Sequence, residues 1–126
     1  MNKIENKIKI YHNNRCKISR EGLQILENKK IDFEIIDYMK SSLSVKDMEM
    51  LLMKLNCKPQ VLVRTNESIY KSKFKGQQFN DDEWIKILIE YPNLMQRPIV
   101  ETQYKAVVAR PLELIDELLD STKKTK

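Results

Sequence analysis

The chain has 126 residues, a net charge of +5 and an apolar fraction of 41%. This length predicts one domain that buries a core without disulfides or structural metal, and no apolar run approaches membrane-spanning length. The polar stretch at residues 1–7 lacks the apolar centre of a secretory signal, so we expect a cytoplasmic protein with no membrane partner. The basic tail at residues 121–126 supplies much of the excess charge, and we interpret it as a solvated terminus rather than a nucleic-acid surface.

The cysteine and histidine content restricts the redox and metal chemistry. Cys16 and Cys57 lie far apart in the sequence and form neither a C-x-x-C pair nor a metal-ligand spacing. The sequence has a single histidine, His12, so we expect no metal site. We also expect no structural disulfide in a reducing compartment, and we interpret Cys57 as a packing residue at the end of a helix.

The first third of the chain has the pattern of a strand, a helix and a second strand. Residues 8–11 alternate Ile-Lys-Ile-Tyr, which predicts a strand, and the next segment contains the turn residues Asn13 and Asn14. Residues 17–27 carry apolar side chains at helical spacing, and residues 33–38 alternate moderately. A strand–helix–strand unit of about thirty residues predicts that the two strands are parallel.

A second helix is predicted where Ser44 and Asp47 match a helix-capping pair. Its predicted apolar face consists of Met48, Leu51, Leu52 and Leu55. We expect Pro59 to end this helix. The short apolar run at residues 61–63 predicts a further helical turn.

Residues 65–80 are polar and carry scattered lysines, which predicts a long, partly mobile loop beside the functional site. Asn80 or Asp81 is then expected to cap a third helix that extends to Glu90. Its predicted inner face consists of Trp84, Ile85, Leu88 and Ile89.

The last third predicts a hairpin and a closing helix. Short apolar runs at residues 97–100 and 105–109 predict two strands, and Pro111 is expected to begin an amphipathic helix that extends to Leu119. The complete order β-α-β-α-α-β-β-α predicts an α/β protein with a thioredoxin-like fold. In it, a helical segment is inserted between the βαβ unit and the C-terminal hairpin and helix.

The predicted start of the first helix places a thiol in a reactive position. Cys16 directly precedes the helix, where free backbone N–H groups and the helix dipole favour a negative charge. Arg15, Lys17 and Arg20 add positive charge around it. Because these factors stabilise the thiolate, Cys16 is a candidate nucleophile. The same surroundings attract an oxyanion.

Three arginines form a second candidate set. Arg64, Arg97 and Arg110 each stand at the end of a predicted element, where a side chain can project into a cleft. In a thioredoxin-like fold the strand that begins at Pro98 lies beside the Cys16 loop, and a cis Arg97–Pro98 peptide is typical there. Arginine suits a tetrahedral oxyanion because its planar fork offers several directed donors and keeps its charge.

These residues stand in motifs that resemble a known family. The motifs are His12-Asn13 leading to Cys16-Lys17-Ile18-Ser19-Arg20, Val63-Arg64-Thr65-Asn66, the segment 91–100 with Arg97-Pro98-Ile99-Val100, and Ala109-Arg110-Pro111. Together they cover residues 8–119 and resemble the glutaredoxin-coupled arsenate reductase family, ArsC.

The resemblance implies a reaction and a set of partners. Cys16 would attack arsenate or a similar oxyanion as a thiolate, and Arg64, Arg97 and Arg110 would hold the oxyanion. Glutathione would act as the reducing co-substrate and would leave a mixed disulfide on Cys16, which glutaredoxin would reduce. The resemblance further implies that no cofactor is bound, and a monomer is expected.

The resemblance also implies roles for residues around the thiol. His12 would stabilise the thiolate by charge or orientation, and Ser19 by a hydroxyl hydrogen bond, although both positions also suit purely local structural roles. Arg20 is included with them as a positively charged, thiolate-stabilising residue.

The chain departs from the family pattern at a few positions, and two other functions stay open. Asn14 stands where the family usually has proline, and Lys17 and Ile18 replace smaller or polar residues.

One alternative function is a Spx-type redox regulator that binds RNA polymerase, but Ser19 stands where its second redox cysteine would be. The other is a thiol oxidoreductase that acts on another substrate such as glutathione mixed disulfides, which needs Cys16 but gains little from three arginines.

Overall fold

The computed structural model describes residues 8–124, which form two compact units. The first unit contains residues 8–38 and 97–124, and the second contains Met39–Gln96. Residues 1–7, for which no secretory signal is predicted, lie outside the described residues. The last two residues of the basic tail also lie outside them. The organisation as one domain stays a prediction.

The first unit is built on a four-stranded sheet with the order β2-β1-β3-β4. The strands are β1 (Ile8–Tyr11), β2 (Phe33–Ile36), β3 (Ile99–Glu101) and β4 (Ala106–Val108). β1 pairs with β2 in parallel and with β3 antiparallel, and β3 pairs with β4 antiparallel. The predicted parallel unit and hairpin are therefore confirmed, and β1 and β3 form the centre of the sheet.

Two helices complete this unit, α1 (Lys17–Asn28) and α4 (Leu114–Lys124). Their apolar faces and the apolar positions of the sheet share one core. It contains Ile8, Ile10, Leu26, Val100, Ala109, Ile115, Leu118 and Leu119. Burial of this surface stabilises the sheet and fixes α1 against it.

Gly22 allows α1 to approach the start of β3 closely. A Cβ atom at this position would lie 3.0 Å from Cγ of Pro98 and 3.5 Å from Cδ2 of Leu112. The absence of a side chain therefore lets the helix that follows Cys16 pack against the proline that follows Arg97.

The second unit contains α2 (Val45–Leu55) and α3 (Asp81–Glu90), the helical segment predicted between β2 and β3. Both helices begin with a complete capping box, Ser44 with Asp47 and Asn80 with Glu83. In each box the cap side chain accepts an orphan N–H and the acidic side chain accepts the N–H of the cap residue, which satisfies two donors at once.

The segment at residues 65–80 is more ordered than the sequence indicates. It contains a π-helical turn at Tyr70–Phe74, and Phe74 is buried. Phe74 makes edge-on contacts with Phe79 and Tyr91 at ring distances of 5.9 and 5.4 Å, and Phe79 packs against Trp84 at 4.9 Å. The prediction of a long loop is therefore wrong at Tyr70–Phe74, because aromatic residues that are distant in sequence form one cluster there.

Two predicted ends of elements are also wrong. β2 ends at Ile36, which pairs with Tyr11 at the end of β1, and the His12 N–H donates to the Ile36 carbonyl at 3.0 Å. α2 ends at Leu55, before Pro59, and its C-cap residue Asn56 adopts the left-handed conformation (φ 57°, ψ 47°) typical of helix ends. Pro59 instead begins a 3₁₀ turn that ends at Leu62, as the run at 61–63 indicated.

The final helix begins three residues later than predicted. Pro111 lies in a tighter turn, in which Leu114 N–H donates to the Pro111 carbonyl and Ile115 N–H to the Leu112 carbonyl. These bonds span three residues rather than four, so the α-helical pattern begins only at Leu114. No helix in residues 8–124 is long and apolar enough to cross a membrane.

Substitution of Leu26 by alanine tests the contribution of the shared core. Leu26 is fully buried, so Leu26→Ala removes apolar contacts and leaves a cavity, at an expected cost of about 2–5 kcal/mol in the free energy of unfolding. Gln24→Ala on the exposed face of α1 is the control and should change it by less than about 0.5 kcal/mol. Urea denaturation measures both, and equal effects would contradict the packing described.

Candidate active site

β1 carries the chain directly to the candidate site. After Tyr11 the chain turns at residues 13–16, and α1 begins at Lys17. Cys16 is the N-cap residue of α1 and has an extended backbone (φ −98°, ψ 123°). The predicted position of the thiol at the start of the helix is therefore confirmed.

The turn before Cys16 is held by Asn13. The Asn13 carbonyl accepts the Cys16 N–H at 3.0 Å, and Oδ1 of Asn13 accepts the Arg15 N–H at 3.0 Å. The first bond closes a β-turn and the second an Asx-turn over the same residues. The sequence indicated a turn here, but it did not indicate Asn13 as a residue of the site.

Two arginine side chains converge on the sulfur. Nη2 of Arg110 lies 3.7 Å from Sγ of Cys16, and Nε of Arg110 donates to the Arg97 carbonyl at 2.8 Å. Arg97 is buried, with 8% of its surface exposed, and it precedes a cis peptide bond to Pro98, as expected. A second cis bond joins Arg110 to Pro111. Two of the three candidate arginines therefore belong to one cluster with Cys16.

The surroundings of Cys16 favour its thiolate. Partial burial raises the pKa of this thiol, but the neighbouring groups outweigh burial and lower the pKa below its ordinary value. The groups that lower it are the backbone N–H of Ser19, the Arg97 guanidinium through a hydrogen bond and through its charge, and the backbone N–H of Ile18. The two amides belong to the first turn of α1, so the helix start and Arg97 act together on the sulfur.

His12 and Ser19 form a buried pair next to this turn. Nδ1 of His12 lies 2.8 Å from Oγ of Ser19, which also accepts the Asn13 N–H at 3.0 Å. Burial lowers the pKa of His12, although the Asp37 carboxylate opposes this shift. His12 is therefore neutral at pH 7, which favours a role through orientation over a role through charge.

The remaining charged candidates lie in other surroundings. Nη1 of Arg20 donates to the Asn14 carbonyl at 2.9 Å, so the Arg20 guanidinium contacts the turn that precedes Cys16. Arg64 belongs to the second unit, where its Nε contacts Oε2 of Glu67 at 3.2 Å. The other oxygen of Glu67 accepts a hydrogen bond from Asn93 at 2.8 Å, so Glu67 is held from two sides within that unit.

Cys57 also lies in the second unit and differs from Cys16 in its environment. Burial raises the pKa of the Cys57 thiol, which is typical of a packing cysteine. Among residues 8–124 there is no group of three or more His, Cys, Asp or Glu side chains that would hold a metal ion.

The segment that contains this site matches a known protein family. The model of the ArsC family matches residues 11–118. The chain belongs to the ArsC family. An arsenate reductase of Haemophilus influenzae is 36% identical over 112 residues, which cover 87% of this chain and 97% of that protein. An arsenate reductase of Neisseria meningitidis is 32% identical over 114 residues, which cover 89% and 97%.

A solved ArsC-type structure has the same fold. The arsenate reductase from Vibrio cholerae superimposes with a TM-score of 0.83 at 35% identity, over 89% of this chain and 97% of that structure. This similarity confirms the thioredoxin-like arrangement and the resemblance to ArsC proteins. The family also covers all the motifs from His12 to Pro111.

The two cysteines of this ArsC protein are expected to differ in reactivity. Cys16 has a lowered pKa and Cys57 a raised one, so iodoacetamide at pH 7 should modify Cys16 first. Peptide mass spectrometry after short exposures measures the order. Faster modification of Cys57, or equal rates at both positions, would contradict the assigned environments.

The single histidine allows a direct titration. The pKa of His12, measured by NMR, should lie below the ordinary value for histidine because burial disfavours its charge. Asp37→Asn should lower it further, since the Asp37 carboxylate raises it. Asp82→Asn on the exposed start of α3 is the matched control and should leave it unchanged. An ordinary or raised pKa would contradict the buried, neutral imidazole.

Proposed function

We propose that the protein is a glutathione- and glutaredoxin-dependent arsenate reductase in which the Cys16 thiolate is the nucleophile. The observation that carries the proposal is the convergence of Arg97 and Arg110 on the Cys16 sulfur at the start of α1. Membership of the ArsC family supports it, because relatives that cover most of the chain are named arsenate reductases.

The cluster suits attack on a tetrahedral oxyanion. The thiolate attacks arsenic and expels an oxygen ligand as hydroxide or water, which forms a Cys16–arsenate adduct. Negative charge develops on the arsenate oxygens beside the sulfur, and the guanidinium groups of Arg97 and Arg110 offer directed donors to it. The same positive groups that stabilise the thiolate therefore stabilise the anion that it attacks.

Reduction requires two electrons, which thiols supply. A glutathione thiolate reacts with the adduct, a sulfur–sulfur bond forms between glutathione and Cys16, and arsenic leaves as arsenite with the electron pair. Arsenic is reduced by two electrons and the two thiols are oxidised to one mixed disulfide. Glutaredoxin then restores the Cys16 thiol by thiol–disulfide exchange. This cycle requires no bound cofactor.

The arginine cluster favours this function over simple thiol exchange. Exchange with a glutathione mixed disulfide needs the thiolate and access to it, but it has no use for a second guanidinium at 3.7 Å from the sulfur. A Spx-type switch typically has a second cysteine at the position of Ser19, whose hydroxyl is instead buried against His12.

Other residues of the family motifs are proposed to assist. We assign Arg64 to the arsenate oxygens on the basis of its motif, and His12 and Ser19 to the support of the thiolate through the orientation of the turn. Arg20 would act through the Asn14 carbonyl that it contacts. The cytoplasmic location, the monomeric state and the absence of membrane and nucleic-acid partners stay predictions.

Replacement of Arg110 tests the oxyanion role. Arg110→Ala should lower kcat/KM for arsenate by about 10²–10³, the usual cost of removing one donor to a developing oxyanion. Arg110→Lys keeps the positive charge but loses the planar set of directed donors, so its kcat/KM should lie between those of the wild type and Arg110→Ala. The assay is arsenate-dependent NADPH oxidation coupled through glutathione, glutaredoxin and glutathione reductase.

Two controls separate chemistry from folding in this assay. Cys16→Ser should abolish turnover, and alkylation of Cys16 in Arg110→Ala at high pH should proceed at the wild-type rate, because the thiolate is then fully formed. Unchanged arsenate turnover in Arg110→Ala would contradict the oxyanion role. Absence of turnover in the wild type, with Cys16 reactive, would contradict the proposed function.

A further inference from the structure

Asn13 forms hydrogen bonds within the turn that precedes Cys16. Its side chain does not react in the proposed mechanism. We propose that Asn13 is the positioning residue that holds the turn before α1, and with it the Cys16 sulfur, against the first turn of the helix. This inference rests on the proposed function of Cys16 as the nucleophile.

Three polar groups of Asn13 bind three different parts of the turn. Its N–H donates to Oγ of Ser19 at 3.0 Å, its carbonyl accepts the Cys16 N–H at 3.0 Å, and its Oδ1 accepts the Arg15 N–H at 3.0 Å. The first bond ties the turn to the third residue of α1. The other two fix the residues between β1 and the helix.

Asn13 itself is buried, with 4% of its surface exposed, whereas Arg15 is exposed and the bond from its N–H to Asn13 is partly buried. Loss of the Oδ1 acceptor would leave the Arg15 N–H without this bond, which favours a change in the turn. A change in the turn would move Cys16, because its N–H is held by the same residue.

The position of the sulfur decides how strongly the thiolate is stabilised. The pKa of Cys16 is lowered by the backbone N–H groups of Ser19 and Ile18 and by the guanidinium of Arg97. Interactions of this kind weaken steeply with distance and angle. A residue that fixes the Cys16 backbone therefore acts on thiolate stability without touching the sulfur.

Asn14 provides a matched comparison at the next position. It is exposed, and its backbone carbonyl accepts a hydrogen bond from Arg20. A substitution of the Asn14 side chain therefore removes the same amide group from the same turn but leaves the Asn13 bonds in place.

The test is the pH dependence of Cys16 alkylation in Asn13→Ala, Asn13→Ser and Asn14→Ala. Iodoacetamide modification is followed at Cys16 by peptide mass spectrometry, and circular dichroism checks the fold of each variant. In Asn13→Ala the pKa should rise, so that the rate at pH 7 falls at least about threefold while the limiting rate at high pH does not fall.

The two other variants decide whether the effect belongs to the Asn13 acceptor. Asn13→Ser should recover part of the loss, since a serine hydroxyl forms the same turn more weakly, and Asn14→Ala should match the wild type. A folded Asn13→Ala protein with the wild-type pH profile overturns the proposal. Equal shifts in Asn13→Ala and Asn14→Ala also overturn it. If Asn13→Ala does not fold, a wild-type profile in Asn13→Ser overturns it.

The outcome is independent of arsenate turnover. If the wild type does not reduce arsenate, the proposed function fails, and the alkylation profiles still decide the role of Asn13. If the wild type reduces arsenate and Asn13→Ala keeps the wild-type thiol pKa, the positioning role fails and the proposed function stands.

Discussion

A negative charge on the Cys16 sulfur requires compensation, because partial burial by itself disfavours the thiolate. The compensation comes from the start of α1 and from Arg97, two elements that the fold must bring together. Gly22 makes this possible, since its lack of a side chain allows α1 to pack on Pro98, the residue that follows Arg97. The core around Leu26 then holds the helix in this position.

The site is assembled by hydrogen bonds to the main chain. Arg110 reaches the sulfur while its Nε donates to the Arg97 carbonyl, so the main chain of Arg97 holds the Arg110 guanidinium in place. In the adjoining turn, Ser19 accepts the Asn13 N–H and contacts His12, which is neutral at pH 7. His12 and Ser19 therefore support the thiolate by orienting the turn and not by an imidazolium charge.

Much of this arrangement could be predicted from local sequence signals. β1, the start of α1 and the capping box of α2 depend on neighbouring residues, and each was predicted correctly. The π-helical turn that contains Phe74 could not be predicted, because it depends on aromatic contacts between residues that are distant in sequence. The role of Asn13 could not be predicted either, since turn chemistry identifies a bend but does not indicate which N–H groups the side-chain and main-chain oxygens accept.

The central claim is that Cys16 transfers electrons from glutathione to an oxyanion held beside it. Intact-protein mass spectrometry after incubation with arsenate and glutathione, without glutaredoxin, tests this most directly. The account predicts a single glutathione adduct on Cys16 that forms only when arsenate is present, with arsenite released in equal amount. An adduct that forms equally without arsenate, or a Cys16 that reacts with iodoacetamide but forms no adduct, would contradict it.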